Sequence, residues 1–146
     1  MDLILADVTA DNWRTVADLA PRDDQRRFVP ALAARYLLLG VHGDTWHNLG
    51  AFEGDVAVAH VMWGRDDDGS HWIGGLLVDA AQQGRGVGSR VVELLLERLT
   101  PEGTPIRMSC HPDNLASQAL FGALGFADTG RMEDDEQVWE RPARPS

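Results

Sequence analysis

Leu76-Leu77-Val78-Asp79-Ala80-Ala81-Gln82-Gln83-Gly84-Arg85-Gly86-Val87-Gly88-Ser89-Arg90-Val91-Val92-Glu93-Leu94-Leu95-Leu96-Glu97-Arg98-Leu99 divides into three pieces. Leu76, Leu77 and Val78 are an apolar run too short to be a helix, and Asp79 stops it. Gly84, Gly86 and Gly88 form a glycine-rich loop. From Ser89 the period changes. Val91, Val92, Leu94, Leu95, Leu96 and Leu99 fall on one broad apolar face, while Arg90, Glu93, Glu97 and Arg98 stay polar. Pro101 follows, where prolines end helices. The stretch reads as a buried strand, a tight loop and an amphipathic helix.

A helix start leaves its first N–H groups unpaired and carries partial positive charge. Glycine lets the backbone approach a ligand closely and adopt positive φ. Together they make a cradle for phosphate oxygens. A bare turn between strand and helix would also accept these glycines, so the order of residues has to discriminate. Gln83-Gly84-Arg85-Gly86-Val87-Gly88 reads Q-x-x-G-x-G. It is not the dinucleotide fingerprint, which needs G-x-G-x-x-G, nor a P-loop, because no Gly-Lys-Ser/Thr follows. It resembles the acetyl-CoA loop of the GNAT family of N-acetyltransferases, which carries the cofactor pyrophosphate.

A second stretch supports the same resemblance. Asn114-Leu115-Ala116-Ser117-Gln118-Ala119-Leu120-Phe121-Gly122-Ala123-Leu124-Gly125-Phe126 looks like N-x-x-A-x-x-L-Y-x-x-x-G-F, the family signature that closes the cofactor site. Ser117 replaces its alanine and Phe121 its tyrosine. The resemblance implies an α/β (α+β) fold in one N-acetyltransferase domain over residues 1–146. The expected architecture is a mixed, mostly antiparallel sheet of about six to seven strands flanked by about four helices, in the order β-α-α-β-β-β-α-β-α-β-β. It also implies acetyl-CoA contacts from Leu76, Leu77, Val78, Gln83, Gly84, Arg85, Gly86, Val87, Gly88, Ser89, Asn114, Ser117 and Phe121.

In chain order, Leu3–Asp7 reads as a strand. Asp11 can cap a helix from Asn12 to Leu19 whose apolar side is Trp13, Val16, Ala17 and Leu19. Pro30 suits a helix start, and Ala31–Leu39 reads as the second helix, ended by Gly40 and Gly43. Trp46–Glu53 and Asp55–Trp63 read as strands joined at Glu53-Gly54-Asp55, the second apolar on both faces and therefore central. Trp72–Val78 enters the glycine loop. Gly74-Gly75 within it marks a bulge or a close backbone approach; in the family this strand splays from its neighbour and the acetyl-pantetheine arm lies along it. Ile106–Cys110 is a strand. A helix capped by Asp113 or Asn114 presents Ala116, Ala119, Leu120, Ala123 and Leu124 on one face, and Gly125 ends it. Phe126–Met132 and Glu136–Arg141 close the sheet, and Pro142–Ser146 reads as frayed.

The chain of 146 residues is 44% hydrophobic and 25% charged, ordinary for one globular domain. Such a domain buries roughly two-thirds of its unfolded surface and needs no metal or disulfide staple. Cys110 is the one cysteine, which fits a reducing, cytoplasmic compartment. Met1–Asp7 lacks the basic and long apolar regions of a signal peptide. No run approaches the ~20 apolar residues of a membrane span. The net charge of −10 argues against nucleic acid as partner and is compatible with a cationic substrate. The family often dimerises, so the resemblance also allows a homodimer.

The implied reaction moves an acetyl group from acetyl-CoA to a small-molecule amine. An ammonium has no lone pair, so a base must take its proton, directly or through water. A backbone N–H of the splayed strand, near Leu77 or Val78 by the resemblance, would serve the oxyanion. In many relatives, by the resemblance, the signature tyrosine protonates the leaving thiolate. Phe121 cannot, which leaves Ser117, a water, or departure as thiolate. Asp79 is the candidate base at the end of the key strand; a loop-capping carboxylate is its other reading. His60 and His71 read as structural. The five histidines and Cys110 share no metal spacing, so no metal is expected. Gln25-Arg26-Arg27-Phe28-Val29 is similar to a stretch of the diamine and spermidine acetyltransferase branch. Of the acidic clusters, Asp23-Asp24 and Glu133–Glu136 are expected to flank the acceptor mouth, with Asp66-Asp67-Asp68 facing elsewhere. A polyamine is the favoured acceptor, with an amino sugar or peptide amine behind it. A non-catalytic module that senses acetyl-CoA is the alternative from another class.

Overall fold

A computed structural model describes residues 1–143. Its elements are β1 (Leu3–Asp7), α1 (Trp13–Ala17), α2 (Ala34–His42), β2 (His47–Glu53), β3 (Val56–Arg65), β4 (His71–Val78), α3 (Val87–Leu99), β5 (Ile106–Cys110), α4 (Leu115–Ala123), β6 (Ala127–Glu133) and β7 (Glu136–Arg141). The seven strands form one sheet in the order β1-β2-β3-β4-β5-β7-β6. Every pairing is antiparallel except β4 with β5. The element order and the mixed sheet are those expected. The last three residues, where part of the frayed tail was placed, lie outside the described residues.

The core follows from the pattern of α3. Val87, Val91, Val92, Leu95, Leu96 and Leu99 are buried, and the helix packs on β1, β3 and β4. Truncating a side chain such as Leu95 to alanine would cost about 2–5 kcal/mol, because neighbours only partly fill the void. On β3, Val58 through Met62 are all buried, as a strand covered on both faces requires. A second apolar cluster holds Val16, Ala17, Leu19, Ala33, Leu37, Phe52 and Leu77 beneath the N-terminal helices.

Four local expectations are corrected. Asp11 caps nothing: Asn12 is the N-cap of a short α1, and its carboxamide is spent on the Thr9 N–H and the Asp7 carbonyl. The chain leaves α1 early because Ala20 is tied to the end of β4, its carbonyl accepting from the Ala80 N–H at 2.8 Å. Trp13 is 43% exposed and takes no part in the core. The second helix begins at Ala34 and runs through Gly40. A Cβ at Gly40 would stand 2.2 Å from Nδ2 of Asn48, so this glycine lets α2 approach β2 and is no stop signal.

The fourth correction concerns α4, capped by Asn114, whose Oδ1 accepts from the Ser117 N–H at 3.2 Å. Its inward face is Ser117, Leu120, Phe121 and Leu124, while Ala116, Ala119 and Ala123 are exposed. The periodicity was legible but its phase was one residue off, because alanine is at home on either face. The β6–β7 hairpin turns through Asp134 and Asp135, both in the left-handed region at φ 50° and 64°. That is the backbone of a two-residue primed turn. β6 lies at the sheet edge with charged, exposed residues, which discourages further strand pairing.

Candidate functional site

The site begins where β4 and β5 part. They pair only at His71 with Ile106 and Trp72 with Arg107. Beyond that, β4 bulges. His60 of β3 faces Leu77 and Met62 faces Gly74, so Gly75 and Leu76 have no register partner on β3. Gly75 sits at φ +60°, a conformation that favours glycine. Gly74 has a different reason: a Cβ there would come within 3.2 Å of the Trp46 ring. The bulge expected from Gly74-Gly75 is therefore present.

Two cavities meet at this bulge. A groove of about 610 Å³ runs over the glycine loop. Its lining includes Leu76, Leu77, Val78, Gln83, Gly84, Gly86, Val87, Gly88, Ser89, Asn114 and Ser117. Gly84 and Gly86 hold φ +76° and +77°, and a Cβ at either would point into open space. Gly86 is the N-cap of α3 with no side-chain cap and no acidic residue in the first turn. The helix therefore presents unpaired N–H groups and positive potential to the groove, as phosphate oxygens require. Gln83 secures the loop: its Nε2 donates to the Val78 carbonyl at 2.8 Å.

Three sequence-predicted residues stand apart. Arg85 does not line the groove; its guanidinium is turned to Glu53 at 2.8 Å and to Gln82. Phe121 lines the second cavity instead. Asp79 lines neither, and its two oxygens accept from the Ala20 and Ala81 N–H groups at 3.3 and 3.4 Å. These hydrogen bonds describe the loop-capping alternative.

The second cavity, a chamber of about 570 Å³, is walled by aromatic and acidic side chains. Phe28, Tyr36, Trp46, Trp72 and Phe121 supply the first kind; Asp66, Asp67, Glu133, Asp134 and Glu136 the second. Of the last acidic cluster, Glu133, Asp134 and Glu136 line the chamber. The first and middle ones are interchanged: Asp66 and Asp67 line the chamber, whereas Asp23 and Asp24 pair with Arg26 and Arg22 outside it. Phe121 is buried with its ring against Phe126 and edge-on to Trp139. The groove and the chamber share Phe28, Val29, Leu76, Asn114 and Ser117.

Burial, helped by the negative charge of Glu136, pushes the Tyr36 hydroxyl up to about 12 and the Cys110 thiol to about 11. Both keep their protons at neutral pH. Behind the chamber wall, Tyr36 stacks on His60 with ring centroids 5.3 Å apart. His60 is fully buried; its Nδ1 donates to the Gly75 carbonyl at 2.6 Å, and its Nε2 lies 2.7 Å from Oδ1 of Asn48. Burial pulls its pKa down to about 4, so the ring is neutral and carries one N–H. The Gly75 carbonyl claims that proton. The Asn48 carboxamide lies with Oδ1 toward Nε2 and Nδ2 donating to the Leu37 carbonyl at 3.4 Å; turned over, it would offer its NH2 to the Nε2 lone pair instead. Sequence reasoning missed Tyr36, Trp46 and Asn48; Gly40 and Gly74, each beside one of them, were the available signals. Among the described residues, no group of three or more His, Cys, Asp or Glu is placed to hold a metal ion, and no helix is long and apolar enough to cross a membrane.

The model of the acetyltransferase (GNAT) family matches residues 8–126. No curated protein sequence matches the chain. Solved structures share its fold at low identity. The aminoglycoside acetyltransferase AAC(6')-Ib, in complex with paromomycin and acetyl-CoA, superposes with TM-score 0.79 at 20% identity, covering 99% of this chain and 94% of that one. The PaiA N-acetyltransferase of Thermoplasma acidophilum, in complex with coenzyme A, gives 0.72 at 11%, covering 97% and 99%. The GNAT domain of PAT from S. lividans gives 0.74 at 21%, covering 93% and 88%.

Proposed function

The chain belongs to the GNAT family of acetyltransferases, and we propose that residues 1–146 form one domain that transfers the acetyl group of acetyl-CoA to a primary amine of a small polycation, a polyamine being the favoured acceptor. The observation that carries this reading is the junction. A groove with a phosphate cradle opens at Leu76 and Ser117 into an aromatic, acidic chamber. A donor entering from one side and an amine from the other would meet there, which is direct attack by proximity. A module that only sensed acetyl-CoA would have no use for the chamber.

Acetyl-CoA supplies the activated acyl group. The chain's part is to hold both partners and manage protons. The N–H groups at the start of α3, with Gly84 and Gly86, fit the pyrophosphate. The chamber carboxylates favour a cationic acceptor, and Glu136, hydrogen-bonded by Ser109 Oγ at 2.9 Å, adds its charge to the burial that raises both Tyr36 and Cys110. It is our candidate to receive the ammonium and, through water, its proton. Ser117, at the junction, is the hydroxyl nearest in role to the missing tyrosine, and Tyr36 offers a second protonated hydroxyl to the chamber. Asp79 is left with a structural part.

An amino sugar is the second reading, because it too is a polycation that would suit these carboxylates, and the AAC(6')-Ib neighbours hold such ligands. The test is a mass measurement of products formed from acetyl-CoA with a panel of polyamines, aminoglycosides and peptide amines. Acetylated polyamine is expected. Binding of CoA with no product from any amine would leave the sensing alternative.

A further inference from the structure

The Gly75–Leu76 peptide is the part of β4 that neither neighbouring strand holds. An unpaired peptide in mid-sheet would rotate unless something else fixed it. His60 fixes it from one side through the 2.6 Å bond from its Nδ1 to the Gly75 carbonyl. Because the peptide is planar and trans, its carbonyl and its N–H point in opposite directions. With the Gly75 carbonyl turned to His60, the Leu76 N–H is turned away from it, at the residue where groove and chamber meet. Leu77 is back in a hydrogen-bonded pair with His60, two residues before the Asp79 N–H that donates to the Val58 carbonyl, so its N–H is spent on β3; Val78, like Leu76, turns its N–H away from β3, but only Leu76 of the two borders both groove and chamber.

From this geometry, and resting on the acetyl-transfer reading above, we infer that His60 is a positioning residue: it locks the bulge peptide so that the Leu76 N–H is aimed at the acetyl carbonyl oxygen.

The rest of the surroundings are built for the same end. Asn48 lies against Nε2, and its place depends on Gly40, where any Cβ would collide with its amide. Tyr36 lies flat on the imidazole at an interplanar angle of 7°, closing the ring's other face. Cε1 of His60 stands 3.1 Å from where a Gly75 Cβ would be, so ring and bulge fit without slack. The groups facing it are all neutral at pH 7, so the ring acts as a fixed donor and takes no part in proton transfer.

Two variants separate this role from general stability. Asparagine places an amide NH2 where Nδ1 was; glutamine reaches to where Nε2 was. His60→Asn keeps the donor to Gly75, and His60→Gln keeps only the contact with Asn48. Calorimetry with CoA and with acetyl-CoA reads the acetyl contact without needing an acceptor. His60→Gln is expected to bind CoA as the wild type does but to lose about fivefold in acetyl-CoA affinity relative to CoA, as one unmade hydrogen bond would cause. His60→Asn is expected to retain the wild-type ratio, whichever variant melts lower. Equal ratios in both variants, or a ratio that follows thermal stability, would overturn the inference while leaving acetyl transfer standing. Failure of the wild type to bind either ligand would overturn both.

Should both variants fold poorly, amide NMR on the wild type decides. Exchanging CoA for acetyl-CoA should shift the Leu76 N–H more than those of Leu77 and Val78. An unmoved Leu76 signal overturns the proposal.

Discussion

Gln25 and Gln83 hold each other's carboxamides across the groove wall: Nε2 of Gln83 donates to Oε1 of Gln25 at 3.0 Å, and Nε2 of Gln25 donates back at 3.3 Å. The segment before α2 is thereby tied to the first residue of the glycine loop. On the far side Arg27 pairs with Asp113, ahead of α4, and Phe28 packs on the His111 ring at 5.6 Å. One short segment thus spans from one wall of the groove to the other.

Gln25→Ala removes the clasp without touching the loop. Each such hydrogen bond contributes about 1 kcal/mol to stability, so the melting temperature should fall by a few degrees, and with the loop untied CoA affinity should fall about fivefold. Calorimetry checks it; unchanged affinity would mean the segment rests on the groove without shaping it.

Gly86 makes a sharper case. A Cβ there meets nothing, so space is no obstacle; the obstacle is φ +77°. Valine, β-branched, is strained at such a φ by about 1–3 kcal/mol, whereas asparagine tolerates it. Gly86→Val should weaken CoA binding at least about tenfold, equivalent to roughly 1.4 kcal/mol. Gly86→Asn should weaken it less. If both variants bind alike, backbone conformation is not what the glycine provides.

Phe121 borders the chamber with its ring held by Phe126 and Trp139. Phe121→Ala should cost about 3–5 kcal/mol of stability through the void it leaves. Phe121→Tyr keeps the packing and adds a donor at the family position. Turnover should be preserved or raised, most clearly at lower pH, where a departing thiolate gains most from a proton. A large loss with CoA affinity intact would show that the added hydroxyl is not accommodated.

His60 predicts a pH dependence of stability. Its folded pKa, about 4, lies below the ordinary 6.5, so the unfolded chain binds the proton more readily. Stability is therefore full above about pH 6.5 and is lost as pH falls from there toward 4. Between pH 7 and 4.5 the loss from this group should be about 2 kcal/mol. Urea unfolding of wild type and His60→Asn across that range isolates it: the difference between the two should shrink as pH falls. A parallel pair of curves would place the titration elsewhere.

What could be read in the sequence was what is local. The glycines of Gln83–Gly88 declare their backbone angles, and Asn114 declares a cap, because each acts within a few residues of itself. The His60, Asn48 and Tyr36 arrangement joins β3, β2 and α2, and no window of sequence contains it. Gly40 misled for the same reason: its partner, Asn48, is on another element, so a packing glycine reads as a stop. Trp13 carried the period of a core residue, yet it stands at the first position of α1, 43% exposed, with the Arg14 guanidinium over its ring. The acidic clusters were plain as charge but not as place, since loops that are distant in sequence reach the chamber together.

That placement gives the last prediction. Asp66, Asp67, Glu133, Asp134 and Glu136 border one chamber, and Arg65, the cation among its lining residues, is already engaged by Glu102 at 2.7 Å. The chamber therefore carries a negative field that a polycationic amine would meet on entry. Raising salt from about 0.01 to about 0.15 M shortens the screening length from roughly 30 to roughly 8 Å, so the acceptor KM should rise while the KM for acetyl-CoA changes less. Glu136→Gln should raise the acceptor KM about three- to tenfold and reduce turnover if the carboxylate also receives the proton. Asp23→Asn, outside the chamber and already paired with Arg26, should do neither. Steady-state kinetics on the preferred amine decides between them. An acceptor KM indifferent to salt and to Glu136, or a preferred acceptor that is neutral, would remove the electrostatic argument. The transferase assignment, which rests on the fold and the donor groove, would remain.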